Sequence, residues 1–328
     1  MPVPLRILYL FGAGATHAEL ANLEGDHLEE PFLSKKGLLI EHVSSRIIVK
    51  AQPFLRSIQM VSAPKGPMNI ELFISLIENS RFKRSNEITA RLKQLVKSDI
   101  EGILTKTKRK RFYLHKALLE LHQHPEVAGK EKLEGLISLN YDTVLDEAFR
   151  EIYEHSPNYS FELNRREDSN FIPLLKLHGS FNWNRIRVRG RPRSFEIIPL
   201  GASKNYLHIP YNFIWSRALE LLCGCDVLRV VGCSLSPNDI HLIDLLFKAH
   251  IERGRPFEIQ IIARDNTGED IQRNYGFFRE IKRLTEIEET LITELRPRNP
   301  FKAWLASKSV KLLKEQIGRT RYLKKLTA

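Results

Sequence analysis

The sequence predicts an α/β chain on a Rossmann-like doubly wound parallel sheet, with a helical insertion and a helical C-terminal tail. Three observations predict it. Compact apolar runs recur at RILYLF (6–11), GLISLN (135–140), LLKLHGSFNW (174–183), CDVLRVVG (225–232) and FEIQIIARDN (257–266). Continuous apolar character is what a strand covered on both faces shows. Helical patterns follow the second and fourth runs, YDTVLDEAFREIY and DIHLIDLLFKAHIERG, the latter with Gly254 placed to stop it. From about residue 34 to 124 the periodicity is helical alone, as in NIELFISLIENS (69–80) and NEITARLKQLVKSDIEGIL (86–104). The expected organisation is therefore residues 1–30 as the first part of the sheet domain, 31–130 as insertion, 131–275 as its remainder and 276–328 as a basic helical tail.

Four of the five runs end in residues suited to chemistry. The first leads into Gly12-Ala13-Gly14-Ala15-Thr16, where Gly12 permits a tight turn, Gly14 lets the backbone approach an anion and the helix start offers N–H donors. His17 stands where the third glycine of a G-x-G-x-x-G fingerprint would be, so the turn fits a nucleotide site or a bare strand-to-helix turn. The second run ends in Ser138-Leu139-Asn140-Tyr141-Asp142 and the third in Leu177-His178-Gly179-Ser180. Open α/β sheets take their ligands at such carboxyl ends. Asn140 also suits an Asx turn, Asp142 also suits a helix cap, and a single strand-end histidine is more often structural than catalytic. Their co-occurrence with the Gly232-Cys233-Ser234 turn after the fourth run favours a site.

Bulk properties narrow the class. With 328 residues, 42% hydrophobic and 27% charged, the chain can bury a sizeable core, and no apolar run is long enough to cross a bilayer. The N-terminus has neither a basic n-region nor a small-residue cleavage site, so it reads as a first buried strand and the expected location is cytoplasmic. Cys223, Cys225 and Cys233 contain no C-x-x-C pair and have no second cluster to complete a zinc site, so they are expected to be buried thiols. The net charge of +12 points to an anionic ligand, an acidic partner or nucleic acid. Part of it lies in residues 81–116, with 12 Lys or Arg against 3 acids, and part in the tail, which ends in an amphipathic KSVKLLKEQIG. These read as solvated or packed helical faces. The alternating Arg185, Arg187, Arg189, Arg191 and Arg193 read as a charged edge hairpin, either guarding an edge or docking an acidic partner. No base-reading motif accompanies them, which leaves nucleic-acid binding unsupported.

Taken together, Gly12-Ala13-Gly14, Ser138-Leu139-Asn140-Tyr141-Asp142, Leu177-His178-Gly179 and Gly232-Cys233-Ser234 resemble the sirtuins, and more closely the sirtuin-like NAD hydrolases of bacterial anti-phage defence. The resemblance covers roughly residues 6–20 and 130–265. It implies that NAD+ is the substrate. Asn140 would orient the nicotinamide ribose and an attacking water, His178 would act as general base, and Asp142 would assist them. Gly12, Ala13, Gly14, Thr16, Gly179, Gly232 and Ser234 would contact the nucleotide. The four zinc-binding cysteines and the arginine-containing loop of protein-deacylating sirtuins are absent from this sequence, so the resemblance implies hydrolysis of NAD+ rather than deacylation, without zinc or another metal. It further implies a homo-oligomer and a separate activating protein, either a HerA-type ATPase or a nucleotide-processing subunit, with a toxic role in abortive infection. A catalytically silent module that binds NAD or ADP-ribose is the alternative.

Overall fold

The computed structural model describes residues 3–23, 36–57, 69–80, 83–107, 114–123, 125–161, 171–183, 186–188, 191–193, 197–198, 206–235, 239–254 and 258–262. Five parallel strands form the central sheet: β1 (Leu5–Phe11), β2 (Glu131–Ser138), β3 (Leu174–Lys176), then β6 (Val227–Val231) and β7 (Glu258–Ile262). Their order across the sheet is β3-β2-β1-β6-β7. The order runs outward one way from β1 through β2 and β3 and the other way through β6 and β7, which is the doubly wound arrangement of a Rossmann-like fold. Successive residues of β1 point to opposite faces, so Leu8 and Leu10 enter one core while Ile7, Tyr9 and Phe11 enter the other. This double coverage is why the strands read as unbroken apolar runs.

One face carries α8 (Tyr211–Gly224) and α9 (Ile240–Arg253), whose Trp215, Ala218, Leu222, Leu242 and Leu246 join Leu8 and Leu10 in the first core. The other carries α1 (Ala13–Leu23), α5 (Leu114–Glu120), the single turn α6 (Pro125–Ala128) and α7 (Val144–Tyr153), with Ala15, Leu118, Val127, Leu145 and Phe149 buried. Between β1 and β2 the chain forms α2 (Ile40–Ser57), α3 (Ile70–Asn79) and α4 (Ser85–Thr107). These helices bury Ile47, Ile74, Ile88 and Leu92 in a cluster of their own, which also takes in Tyr141, Phe181 and Ile197 from loops at the carboxyl edge of the sheet. The insertion therefore packs on the edge where the polar motifs sit.

Two departures from the sequence pattern have physical causes. β2 begins at Glu131, ahead of the apolar run, because that carboxylate turns inward to pair with Arg229 at 2.8 Å. β3 is only three residues long. Past Lys176 the chain turns instead of extending, since the Gly179 N–H donates to the Lys176 carbonyl at 3.1 Å and Gly179 sits at φ 86°. That conformation suits a residue without a Cβ. Helix α8 was not expected, its apolar residues lying within a stretch that also holds Tyr, Asn and Trp. The arginine-rich segment forms an antiparallel pair, β4 (Ile186–Val188) and β5 (Arg191–Arg193), in a two-stranded sheet of its own. It is a hairpin, as expected, but not an edge of the main sheet. Arg185 and Arg189 lie outside the described residues, as does the tail from 276 to 328. Among the described residues no helix is long and apolar enough to cross a membrane.

Candidate active site

The change of winding direction falls between β1 and β6, and the glycine turns after these strands meet there. A Cβ on Gly12 would stand 2.6 Å from the Cys233 Cα and the Gly232 carbonyl oxygen, and one on Gly232 would stand 2.2 Å from the Ala15 nitrogen. No side chain fits at either place, and Gly232 also holds φ 56°. The Gly14 N–H donates to the Gly232 carbonyl at 2.9 Å. The close approach these glycines permit is thus first of all between the two turns, which sets the N-terminus of α1 at the crevice. Ser234, two residues past Gly232, is exposed on the same edge.

Asn140 follows β2 and is bound directly to the glycine turn. Its Nδ2 donates to the Gly12 carbonyl at 2.9 Å and to the Thr16 hydroxyl at 3.0 Å, and its backbone N–H donates to the Ser138 hydroxyl. The Thr16 hydroxyl in turn donates to Asp142 Oδ2 at 3.0 Å, while Asp142 Oδ1 accepts the Val144 N–H at 2.9 Å. Both oxygens of Asp142 are engaged, one by the first N–H of α7 and one by Thr16, so this carboxylate reaches Asn140 only through the Thr16 hydroxyl. Among the described residues nothing donates to Asn140 Oδ1, which stands as an acceptor at the crevice.

His178 follows β3 and is 1% exposed. Its Nε2 lies 3.2 Å from Asp239 Oδ2, and Asp239, at the start of α9, also caps that helix by accepting the Leu242 N–H. The Tyr141 and Trp215 rings stand edge-on to the imidazole at 6.4 Å and 6.2 Å. Backbone bonds fix the loop on both sides of it: Trp215 Nε1 donates to the Leu177 carbonyl, Leu177 N–H to the Ser138 carbonyl, and Ile198 N–H to the His178 carbonyl. Burial raises the Tyr141 phenol well above its ordinary value, and the carboxylates of Glu71 and Asp239 and the Tyr211 phenol add to the effect, so Tyr141 remains a neutral hydroxyl donating to the Ile198 carbonyl.

Beneath both loops lies a buried cation. Lys176, wholly inaccessible, donates to Asp146 at 2.9 Å, to the Ser180 hydroxyl at 2.7 Å and to the Asp142 carbonyl. Tyr159 donates to the other Asp146 oxygen, and burial first, then the Asp146 carboxylate, raises its phenol far above the ordinary range. The three oxygens around Lys176 match the three donors of its amino group. From the insertion, Lys97 donates to the Phe181 carbonyl at 2.8 Å and so fastens the same loop.

The structure thus gathers Gly12, Gly14, Thr16, Asn140, Asp142, His178, Gly179, Gly232 and Ser234 at one edge, with Ala13 opening α1. Sequence reasoning missed Asp239, Lys176, Tyr141, Glu71 and Trp215. Asp239 carried a signal, an aspartate at a helix start on the ligand edge, but it reads equally as a plain cap. Lys176 had none beyond being a charge at the end of an apolar run. Of the cysteines, Cys225 and Cys233 are buried and Cys223 partly so, and burial pushes Cys225 up to about 11 despite nearby Arg253. Among the described residues no group of three or more His, Cys, Asp or Glu is placed to hold a metal ion.

Residues 134–283 match the family model of the SIR2-like domain. Over this stretch, a little under half of its length, the chain is similar to the SIR2-like domain. The matched stretch includes Asn140, His178 and Asp239, while the glycine turn at 12–16 precedes it. Solved structures similar to the chain include Sir2 with a p53 peptide and NAD+ (13% identity, 86% of this chain and 92% of that one, TM-score 0.35). Another is a mutant Sir2 homologue complexed with ADP-ribose (15%, 96% and 94%, TM-score 0.32). A third is Sir2Tm bound to a propionylated peptide (12%, 79% and 81%, TM-score 0.32). No curated protein matches the chain.

Proposed function

We propose that the SIR2-like domain is an NAD+ glycohydrolase, releasing nicotinamide and ADP-ribose. The observation that carries this reading is the placement of Asn140 and His178 on the ends of adjacent strands, beside the crevice between β1 and β6. The bond from the ribose carbon to nicotinamide breaks with oxocarbenium character, and its electron pair leaves on the pyridine nitrogen, which becomes neutral and needs no acid. A water oxygen then bonds to that carbon and its proton passes to a base. Asn140 Oδ1 is the acceptor that holds the water or a ribose hydroxyl, with Nδ2 pinned to Gly12 and Thr16 so that the amide cannot rotate away. His178 takes the proton, an imidazole being the side chain whose charge changes near neutral pH. The N-terminus of α1 faces the pyrophosphate with its N–H dipole.

Hydrolysis of a central cofactor is toxic unless restrained, which supports a defence effector kept inactive until a separate protein or ligand triggers it, with the chain working as an oligomer. The direct test is incubation of the purified protein with NAD+, alone and with the product of a neighbouring gene, measuring nicotinamide. The wild type releases it, and Asn140→Ala and His178→Ala lower release by roughly 100-fold or more. Calorimetric binding of NAD or ADP-ribose without any release would replace the enzyme with a binding module.

A further inference from the structure

We propose that Asp239 is the positioning residue of the site: it fixes the His178 imidazole with its Nε2–H directed at the carboxylate, which makes Nδ1 the nitrogen that takes the proton from water. The inference rests on the glycohydrolase reading for its consequence, but its geometry stands apart from it. His178 Nε2 and Asp239 Oδ2 are 3.2 Å apart, and the two side chains are 1% and 3% exposed. A neutral imidazole offers one N–H and one lone pair, and a carboxylate can only accept. The nitrogen beside Asp239 must therefore carry the hydrogen, and the basic lone pair is turned to the other side of the ring. When Nδ1 receives a proton, the buried carboxylate is already in place to stabilise the imidazolium.

Asp239 is well built for this task because its other oxygen is held. Oδ1 accepts the Leu242 N–H, and the Ile243 N–H bonds to the Asp239 carbonyl, so the rigid α9 aims Oδ2 at the ring. The remaining groups around the imidazole come from other elements: Tyr141 after β2 and Trp215 on α8 touch it, with Glu71 of α3 and Tyr211 of α8 beside Tyr141. Tyr141 is neutral, and the charged groups acting on it are the Asp239 and Glu71 carboxylates.

The decisive variant is Asp239→Asn. Asparagine caps helices as well as aspartate does, so α9 keeps its start. Its amide can donate to Nε2, which drives the ring to the opposite tautomer and removes the charge. In the active protein kcat/KM falls at least ~100-fold. The acidic limb of its pH profile also moves to lower pH, because loss of a neighbouring anion lowers the imidazole pKa. The Kd for NAD changes less than ~3-fold if binding does not use this pair. A fall in rate with the limb unmoved would mean that Asp239 only supports the loop, and would overturn the proposal. Histidine-selective 15N NMR of the free protein decides the geometry without turnover: His178 reads as the Nε2–H tautomer in the wild type and as Nδ1–H in Asp239→Asn. An Nδ1–H wild type would overturn the proposal even in an active enzyme. An inactive wild type with the Nε2–H signature would instead sink the hydrolase reading and leave the pair intact.

Discussion

Two buried ionic networks hold this sheet, and they differ in what they bind. At the carboxyl edge, Lys176 is shared among Asp146, Ser180 and the Asp142 carbonyl, so it ties together the loops that present Asn140 and His178. On the face covered by α5 and α7, Arg229 forms a two-pronged pair with Glu131 at 2.8 and 2.9 Å and donates to the Tyr9 hydroxyl at 3.1 Å and to Gln260 at 2.8 Å. That network links four strands to one another and ends on His122, whose Nε2 lies 3.0 Å from the Tyr9 hydroxyl. Burial opposes the Arg229 charge, yet Tyr9 and Glu131 outweigh it and raise the guanidinium further. Equal burial of charge thus has unequal meaning. A network that bonds to strand-end loops shapes a site, and one that bonds strand to strand shapes only the sheet.

Breaking each network separates these meanings. Lys176→Met leaves Asp146 buried without its cation, and Arg229→Met does the same to Glu131; each costs about 3–5 kcal/mol of folding stability, read from urea unfolding. Nicotinamide release per folded molecule then falls in Lys176→Met and stays at the wild-type level in Arg229→Met. Equal loss of release in both would dissolve the distinction.

A smaller change sharpens it. Thr16→Val keeps the shape and removes the hydroxyl between Asn140 and Asp142, costing about 1–3 kcal/mol because Asp142 Oδ2 loses its donor. Release drops roughly tenfold to hundredfold as the Asn140 amide loses one of two anchors, while binding of NAD to the variant weakens less.

The smallest expected effect is one of pH and concerns the strand-to-strand network alone. Burial, with Arg229 adding to it, lowers the His122 pKa from the ordinary 6.5 to about 3. The unfolded chain therefore takes up a proton at a pH where the folded chain does not. Stability from this residue is complete above about 6.5 and declines by roughly 1.4 kcal/mol per pH unit as pH falls from there toward 3. Urea midpoints between pH 7.5 and 5 fall more steeply in the wild type than in His122→Gln. Identical slopes would show that His122 is charged in the fold.

Much of the sheet was legible because a strand covered on both faces must be apolar throughout: the runs at 225–232 and 257–266 contain β6 and β7, the run at 6–11 misses only Leu5 of β1, and the run at 135–140 misses the first four residues of β2. β3 was overread, since an apolar run followed by His-Gly looks extended until the turn at Gly179 is seen. The edge residues Asn140 and His178 were legible as polar groups placed directly after apolar strands. Their supports were not: Asp239 lies 61 positions from His178 and Lys176 lies 30 from Asp146, separations that no local pattern spans.

By itself the sequence determined the doubly wound fold class, the helical character of the insertion and the polar residues that end each strand, because periodicity and local turn chemistry are written in consecutive positions. Only the tertiary structure decided that Gly12 and Gly232 are glycines for each other's sake, that Asp142 stands behind Asn140, and that an aspartate capping a distant helix faces His178. Those facts depend on which strands become neighbours, and strand order is set by packing of the whole chain rather than by any stretch of it.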